Sequence, residues 1–184
     1  TYKGEELLGL SKAALNRIRG RKITMIFQEP MTSLDPLYTI GSQLAEPIRH
    51  HQGISAKAAE ARALELLGLV KIPEPERRLR SYPHELSGGQ RQRVMIAMAI
   101  ANDTELLIAD EPTTALDVTI QAEVLDLLAS LQKRLGMGMI FITHDLNIVK
   151  RIADRVIVMK KGEMVESGPT RDIFSAPKQA YTKA

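Results

Sequence analysis

The 184-residue chain is 44% hydrophobic and 26% charged, with a formal net charge of +3 spread along its length. That content supports one globular domain, or one domain with a small subdomain, and argues against disorder. The absence of cysteine excludes disulfides, thiolate metal sites and cysteine nucleophiles, and it fits a reducing compartment.

No run approaches the roughly 20 apolar residues that span a bilayer, and no basic-then-apolar start suggests a signal peptide. The chain opens on Thr1 rather than Met, as a fragment or processed product does. Lys22 to Gln28 (KITMIFQ) is a β-rich run that stops at Glu29-Pro30, because proline cannot donate to a central ladder. From Thr39 to about Leu69 apolar residues recur at helical spacing with a break near His51-Gly53, which predicts two helices joined by a turn. Pro73, Pro75 and Pro83 then predict an irregular stretch. Within it Arg77, Arg78 and Arg80 stand beside Glu74 and Glu76, a solvated, salt-bridged turn rather than a nucleic-acid patch.

Ser87 is placed to cap a helix running through Val94, Ile96, Met98 and Ile100, with Ala97, Ala99 and Ala101 adding propensity. Glu105 to Asp110 (ELLIAD) is a continuous apolar run closed by acids, of the kind buried on both faces of a parallel sheet. A helix is predicted from Val118 to Leu135, ended by Gly136 and Gly138, and Met139 to Thr143 (MIFIT) reads as a second buried strand. A short helix from Leu146 to Ala153 precedes a third strand, Arg155 to Met159, and Lys161-Gly162 reads as the turn of a hairpin to Glu163–Val165. Strands alternating with helices predict a mostly parallel α/β sheet, with an all-helical insert from about Thr39 to Asn102.

Two places carry chemistry. Asp110-Glu111-Pro112 puts two carboxylates at the carboxyl edge of a buried parallel strand, where open α/β sheets bind ligands. The pair suits a metal and a polarised water, or simply begins a loop. Leu86-Ser87-Gly88-Gly89-Gln90 offers a capping hydroxyl and two residues without side chains at the start of a helix, so unpaired backbone N–H groups face outward as a phosphate nest. At this point the sequence resembles the ABC ATPases, whose hallmark is the LSGGQ segment.

Other family elements follow in the family's order. Gln28 resembles the Q-loop glutamine, Leu106 to Asp110 the Walker B strand, Glu111 the catalytic carboxylate, Thr114-Ala115-Leu116-Asp117 the D-loop, and His144 the switch histidine. The resemblance implies a P-loop NTPase fold with four parts: a core segment ending in the Q-loop (1–38), a helical subdomain with the LSGGQ element (39–104), a core with Walker B, D-loop and H-loop (105–168), and a C-terminal tail (169–184). It implies ATP and Mg²⁺, with Asp110 and Gln28 serving the metal, Glu111 the water and His144 the γ-phosphate. In the family two nucleotide-binding domains pack head to tail, so the nest of Ser87, Gly88 and Gly89 closes over a partner's ATP, and Gln90 and Asp117 are expected with them among the nucleotide-binding residues. Further expected partners are transmembrane permease subunits and, indirectly, a solute-binding protein; no nucleic acid is expected. The implied location is cytoplasmic, peripheral on the inner face of the cell membrane.

Several stretches resemble the dipeptide and oligopeptide importer branch: Glu29-Pro-Met-Thr-Ser-Leu-Asp-Pro36, Pro83-His-Glu-Leu86 with Gln90-Arg-Gln-Arg93, Asp110 through Asp117, and a tail with Gly168, Ile173-Phe174, Pro177 and Tyr181-Thr182, although Gln179-Ala180 replaces the usual His-Pro. A complete domain of this kind also needs G-x-x-x-x-G-K-[ST] to cradle the phosphates. No Gly-Lys pair occurs in the chain, and only 27 residues precede Gln28. Truncation is the expected explanation and natural degeneracy the alternative; the chain by itself is expected to bind ATP poorly and not to hydrolyse it. Two other functions stay open. A non-transport ABC ATPase acting on DNA or the ribosome predicts sustained coiled-coil heptads that are missing here. A non-catalytic module lending its LSGGQ nest to a partner's site would need neither Glu111 nor His144.

Overall fold

A computed structural model describes residues 1–28, 33–114 and 116–183. The described chain divides into two compact units, 1–140 and 141–184.

The first unit begins with a short helix, α1 (Lys12–Ile18), whose Ser11 hydroxyl accepts the Ala14 N–H. Strand β1 (Ile23–Ile26) follows. The predicted helix pair is α2 (Ile40–Gln52) and α3 (Ala56–Leu69). Local chemistry sets their limits: Thr39 and Ser55 cap the two starts, and Gly53, at φ 66°, ends α2 in the left-handed conformation that glycine adopts without a Cβ penalty. The proline-rich stretch holds one turn of helix, α4 (Pro75–Arg78), and a 3₁₀ turn at Pro83–Glu85. Helix α5 (Gly88–Ala99) comes next.

Helices α2, α3 and α5 pack on one another. Ile40, Leu44 and Ile48 from α2, Ala63, Leu66 and Leu67 from α3, and Val94 and Ile96 from α5 are fully buried. Burial of a Leu or Ile side chain stabilises by roughly 1.5–3 kcal/mol, so this apolar stripe holds the helical part together.

Strand β2 (Leu106–Asp110) pairs in parallel with β1, with Ile23 opposite Leu106 and Ile26 opposite Ala109. Helix α6 (Val118–Leu135) runs from the cap Asp117 to Gly136, again left-handed at φ 64°. Strand β3 (Gly138–Ile142) completes a sheet of order β1-β2-β3 and begins with the Gly138 N–H donating to the Glu105 carbonyl at 2.8 Å. The parallel α/β character expected of this region holds.

Burial on both faces does not. Thr24, Ile26, Leu107 and Ala109 are buried, and α5 packs on β1, while Met25 is 38% and Ile140 49% exposed. Exposure alternates along each strand, the pattern of a sheet with one covered face rather than two.

The second unit contains α7 (Leu146–Ile152), β4 (Arg155–Lys160), β5 (Glu163–Pro169), α8 (Thr170–Ser175) and α9 (Ala180–Lys183). The predicted hairpin turn is present, with Lys161 and Gly162 both at positive φ (49° and 83°), as a two-residue turn that matches strand twist requires. The third predicted strand, β4, therefore pairs antiparallel with β5 in a separate sheet instead of extending the parallel one. Glu166 fastens the tail by accepting the N–H groups of Lys178 (2.8 Å) and Gln179 (3.1 Å), and the Lys160 ammonium lies 4.3 Å from the centre of the Tyr181 ring.

Candidate functional site

The parallel register determines what meets beyond the carboxyl ends of β1 and β2. Ile26 stands opposite Ala109, so Gln28 and Glu111, each two residues further on, leave the sheet side by side. The Gln28 amide Nε2 donates to Glu111 Oε2 at 3.0 Å, across 83 residues of sequence. Glu111 has φ 43°, a left-handed conformation that costs a non-glycine residue roughly 1–2 kcal/mol. Strain of this kind turns the chain sharply off the strand and persists where the surroundings hold it.

Those surroundings are visible. The Thr114 N–H donates to the Glu111 carbonyl (3.3 Å), closing a turn over 111–114, and the Thr114 hydroxyl donates to the same Glu111 Oε2 at 2.8 Å. Thr113 is buried and accepts from Gln121 Nε2 of α6 at 3.2 Å, which ties the turn to that helix. Asp110, the last residue of β2, is half-buried beside it.

The Ser87–Gln90 segment forms a reciprocal capping box. Ser87 Oγ accepts the Gln90 N–H (3.3 Å), and Gln90 Oε1 accepts the Ser87 N–H (3.1 Å). The N–H groups of Gly88 and Gly89, in the first turn of α5, lie outside the helical ladder by geometry, at the positive end of the helix dipole. Gly89 is also required by packing: a Cβ there would sit 2.7 Å from Ile120 Cγ2 of α6. Arg91 fixes the approach to the nest, its Nη1 donating to the carbonyls of Leu86 (2.6 Å) and Pro83 (3.3 Å).

Asp117 caps α6, Oδ1 accepting the Ile120 N–H at 3.0 Å. Ala115 of the predicted D-loop, and Glu29 to Thr32 of the stretch after Gln28, lie outside the described residues. His144 is in the second unit, between β3 and α7, next to Thr143, whose hydroxyl accepts the Asp145 N–H at 3.0 Å. Among the sequence-predicted residues, Gln28 and Glu111 are thus brought together, and Ser87 to Gln90 form one nest backed by Ile120. Thr114 and Arg91 were not singled out as site residues. A threonine three places after an acid in a turn is a recognisable signal; Arg91 has no comparable one.

Among the described residues no cluster of three or more His, Asp or Glu side chains could hold a metal. Magnesium does not need one, because it is commonly bound through one or two carboxylates together with substrate phosphates and water. Asp110 offers a carboxylate of that kind, and the Gln28 side chain a neutral amide oxygen.

Carboxylates beyond the carboxyl ends of parallel strands, with a helix start rich in N–H groups outside the helical ladder, are features that phosphate-binding α/β proteins share. The chain belongs to the ABC transporter family, whose model matches residues 2–114. It is 59% identical over 182 residues to the peptidoglycan transport ATP-binding protein YejF of Agrobacterium fabrum, an alignment covering 99% of this chain and 33% of the relative. It is 54% identical over 181 residues to the oligopeptide transport ATP-binding protein OppD of Bacillus subtilis, covering 98% of this chain and 51% of the relative. Among solved structures, the ATP-binding cassette MJ0796, in a dimeric post-hydrolysis state bound to ADP and Pi, matches with a TM-score of 0.76 at 34% identity, covering 89% of this chain and 69% of that one. The chain therefore spans a third to about half of the length of these curated relatives. No helix among the described residues is long and apolar enough to cross a membrane.

Proposed function

We propose that these residues belong to the ATP-hydrolysing, energy-coupling subunit of an importer for peptides or related small solutes. The observation that carries the reading is the convergence of Gln28 and Thr114 on the Glu111 carboxylate, beyond the carboxyl ends of two parallel strands. The names of the relatives, ATP-binding proteins of oligopeptide and peptidoglycan transport, support the peptide branch.

Phosphoryl transfer needs an oriented water and neutralised charge more than covalent chemistry. Glu111 accepts a hydrogen bond from the attacking water and aligns it, while His144 donates to the γ-phosphate. Asp110 and the Gln28 amide would hold Mg²⁺, which, when bound, offsets charge on the phosphates. The Ser87–Gly89 nest serves an ATP held by a second nucleotide-binding domain in a head-to-tail pair, with Gln90 and Asp117 holding the nest and the adjoining helix start in shape. Transmembrane permease subunits receive the resulting motion, a solute-binding protein delivers the cargo, and the subunit works on the cytoplasmic face of the membrane. A Gly-x-x-x-x-Gly-Lys-[Ser/Thr] loop must complete the site, because the 184 residues contain no Gly-Lys pair; the 184-residue chain by itself is not expected to turn over ATP.

In a protein that carries these residues together with such a loop, Glu111→Gln is expected to lower phosphate release by about 10²–10⁴-fold, the range for a positioned general base, with ATP binding retained by calorimetry. Phosphate release by the variant at the unsubstituted rate would sink the reading.

A further inference from the structure

The proposed chemistry leaves the Thr114 side chain without a task, yet Thr114 grips Glu111 at both ends, by its backbone and by its side chain. Its N–H donates to the Glu111 carbonyl at 3.3 Å and its hydroxyl to Glu111 Oε2 at 2.8 Å. The second donor on that oxygen, Gln28 Nε2 at 3.0 Å, arrives from a different strand. Two donors on one carboxylate oxygen, from different directions, fix the rotation of the carboxylate as one donor cannot.

Stability does not account for the hydroxyl. Thr114 is exposed, and the turn is anchored to α6 through its buried neighbour Thr113 and Gln121. An exposed hydroxyl competes with water for its bond and adds little to folding. The Glu111 backbone is left-handed at φ 43°, so the side chain starts from an unusual direction, and these donors bear directly on the aim of its carboxylate.

We propose that Thr114 is a positioning residue for Glu111, setting the orientation of the carboxylate towards the attacking water. The inference rests on the functional reading above. Thr114 touches neither ATP nor water in this role and acts through the carboxylate alone, so its loss affects turnover rather than nucleotide affinity.

Thr114→Val keeps the shape and removes the donor, whereas Thr114→Ser keeps the donor and removes a methyl. In an ATPase-competent protein containing these residues, Thr114→Val is expected to lower kcat by about 10–100-fold, the scale of a small misplacement of a reacting group. KM for ATP should stay within about twofold and Thr114→Ser within about threefold of the original kcat, the split that marks loss of an interaction made in the transition state. The melting temperature should not change. If Thr114→Val keeps full kcat while Glu111→Gln is inactive, this inference fails and the functional reading stands. Equal losses in the Val and Ser variants with a lowered melting temperature indicate a merely structural role and also overturn it. If Glu111→Gln keeps hydrolysing ATP, the functional reading fails and takes this inference with it.

Discussion

The start of α5 and the turn beyond β2 both present polar groups at the end of a secondary-structure element, by opposite means. At Ser87–Gln90 the capping box joins residues three positions apart, Arg91 reaches back no further than Pro83, and the helix behind the nest is seated in a core of fully buried side chains. At Glu111 the shape comes from a left-handed backbone, from Thr114 across the turn and from Gln28, 83 residues away. The sheet carrying Glu111 leaves Met25 and Ile140 partly exposed. A nest shaped by neighbouring residues on a well-packed base depends little on distant contacts, whereas the carboxylate is held both by Thr114, its near neighbour, and by Gln28, which ties it to the pairing of β1 with β2.

The largest expected effect tests the packed base. Leu66 of α3 is fully buried, and Leu66→Ala should cost about 2–5 kcal/mol in the intact protein, the usual range for a cavity left in a core. Met25→Ala, at a position 38% exposed, should cost well under half as much. Denaturant midpoints with unchanged slopes measure both. Similar costs at the two positions would mean that the helical part is not the better-packed region, and the contrast would collapse.

The same division between local and distant determinants explains what was legible beforehand. Helix limits written in neighbouring residues could be read directly: Ser87 as a cap, the break at His51–Gly53, the stop at Gly136, the Lys161-Gly162 turn. Family motifs located Gln28, Asp110 and Glu111 and implied a shared site for them. The direct bond from Gln28 to Glu111 could not be read, because it depends on the register that sets Ile26 against Ala109, and no short stretch of sequence encodes register. An apolar run such as MIFIT states that burial is favourable but not which face is covered, so β3 was expected to be buried and alternates instead. The pairing of β4 with β5 was implied by the hairpin turn, but alternation of strands and helices pointed towards the parallel sheet. Helix α1 carries a local signal in its Ser11 cap, but only one turn of apolar spacing follows it, too little to mark a helix by periodicity.

A smaller effect sharpens the claim that the nest depends little on distant contacts. Gly89→Ala would place a Cβ 2.7 Å from Ile120 Cγ2, so either α5 shifts away from α6 or Ile120 repacks. Overpacking of this kind costs about 1–3 kcal/mol. If the clash with Ile120 is the cause, the cost should shrink in an Ile120→Ala background, and the coupling in a double-mutant cycle should be of similar size. An unchanged cost would place the penalty in the backbone of the nest instead, making it less independent of its surroundings than the capping box suggests.

The smallest effect concerns the opposite end of the sheet. Glu105, just before β2, receives the Lys22 ammonium at 2.8 Å and also contacts Lys3 and the Tyr2 hydroxyl. Hydrogen bonding from Lys22, then Lys3 and Tyr2, holds its carboxyl down at about 2, against an ordinary 4.5. Because the folded value is depressed, the contribution to stability is fully present above pH 4.5 and is lost as the pH falls through the interval towards 2. Glu105 is partly exposed, so solvent and salt screen the cluster and the effect is modest. Melting curves should show wild type above Glu105→Gln at pH 6, a gap that narrows as the pH approaches 2 and is reduced by added salt. A gap that does not change with pH would show that the amino-terminal residues are held to this edge of the sheet by packing rather than charge, bringing its stability closer in kind to that of the helical core.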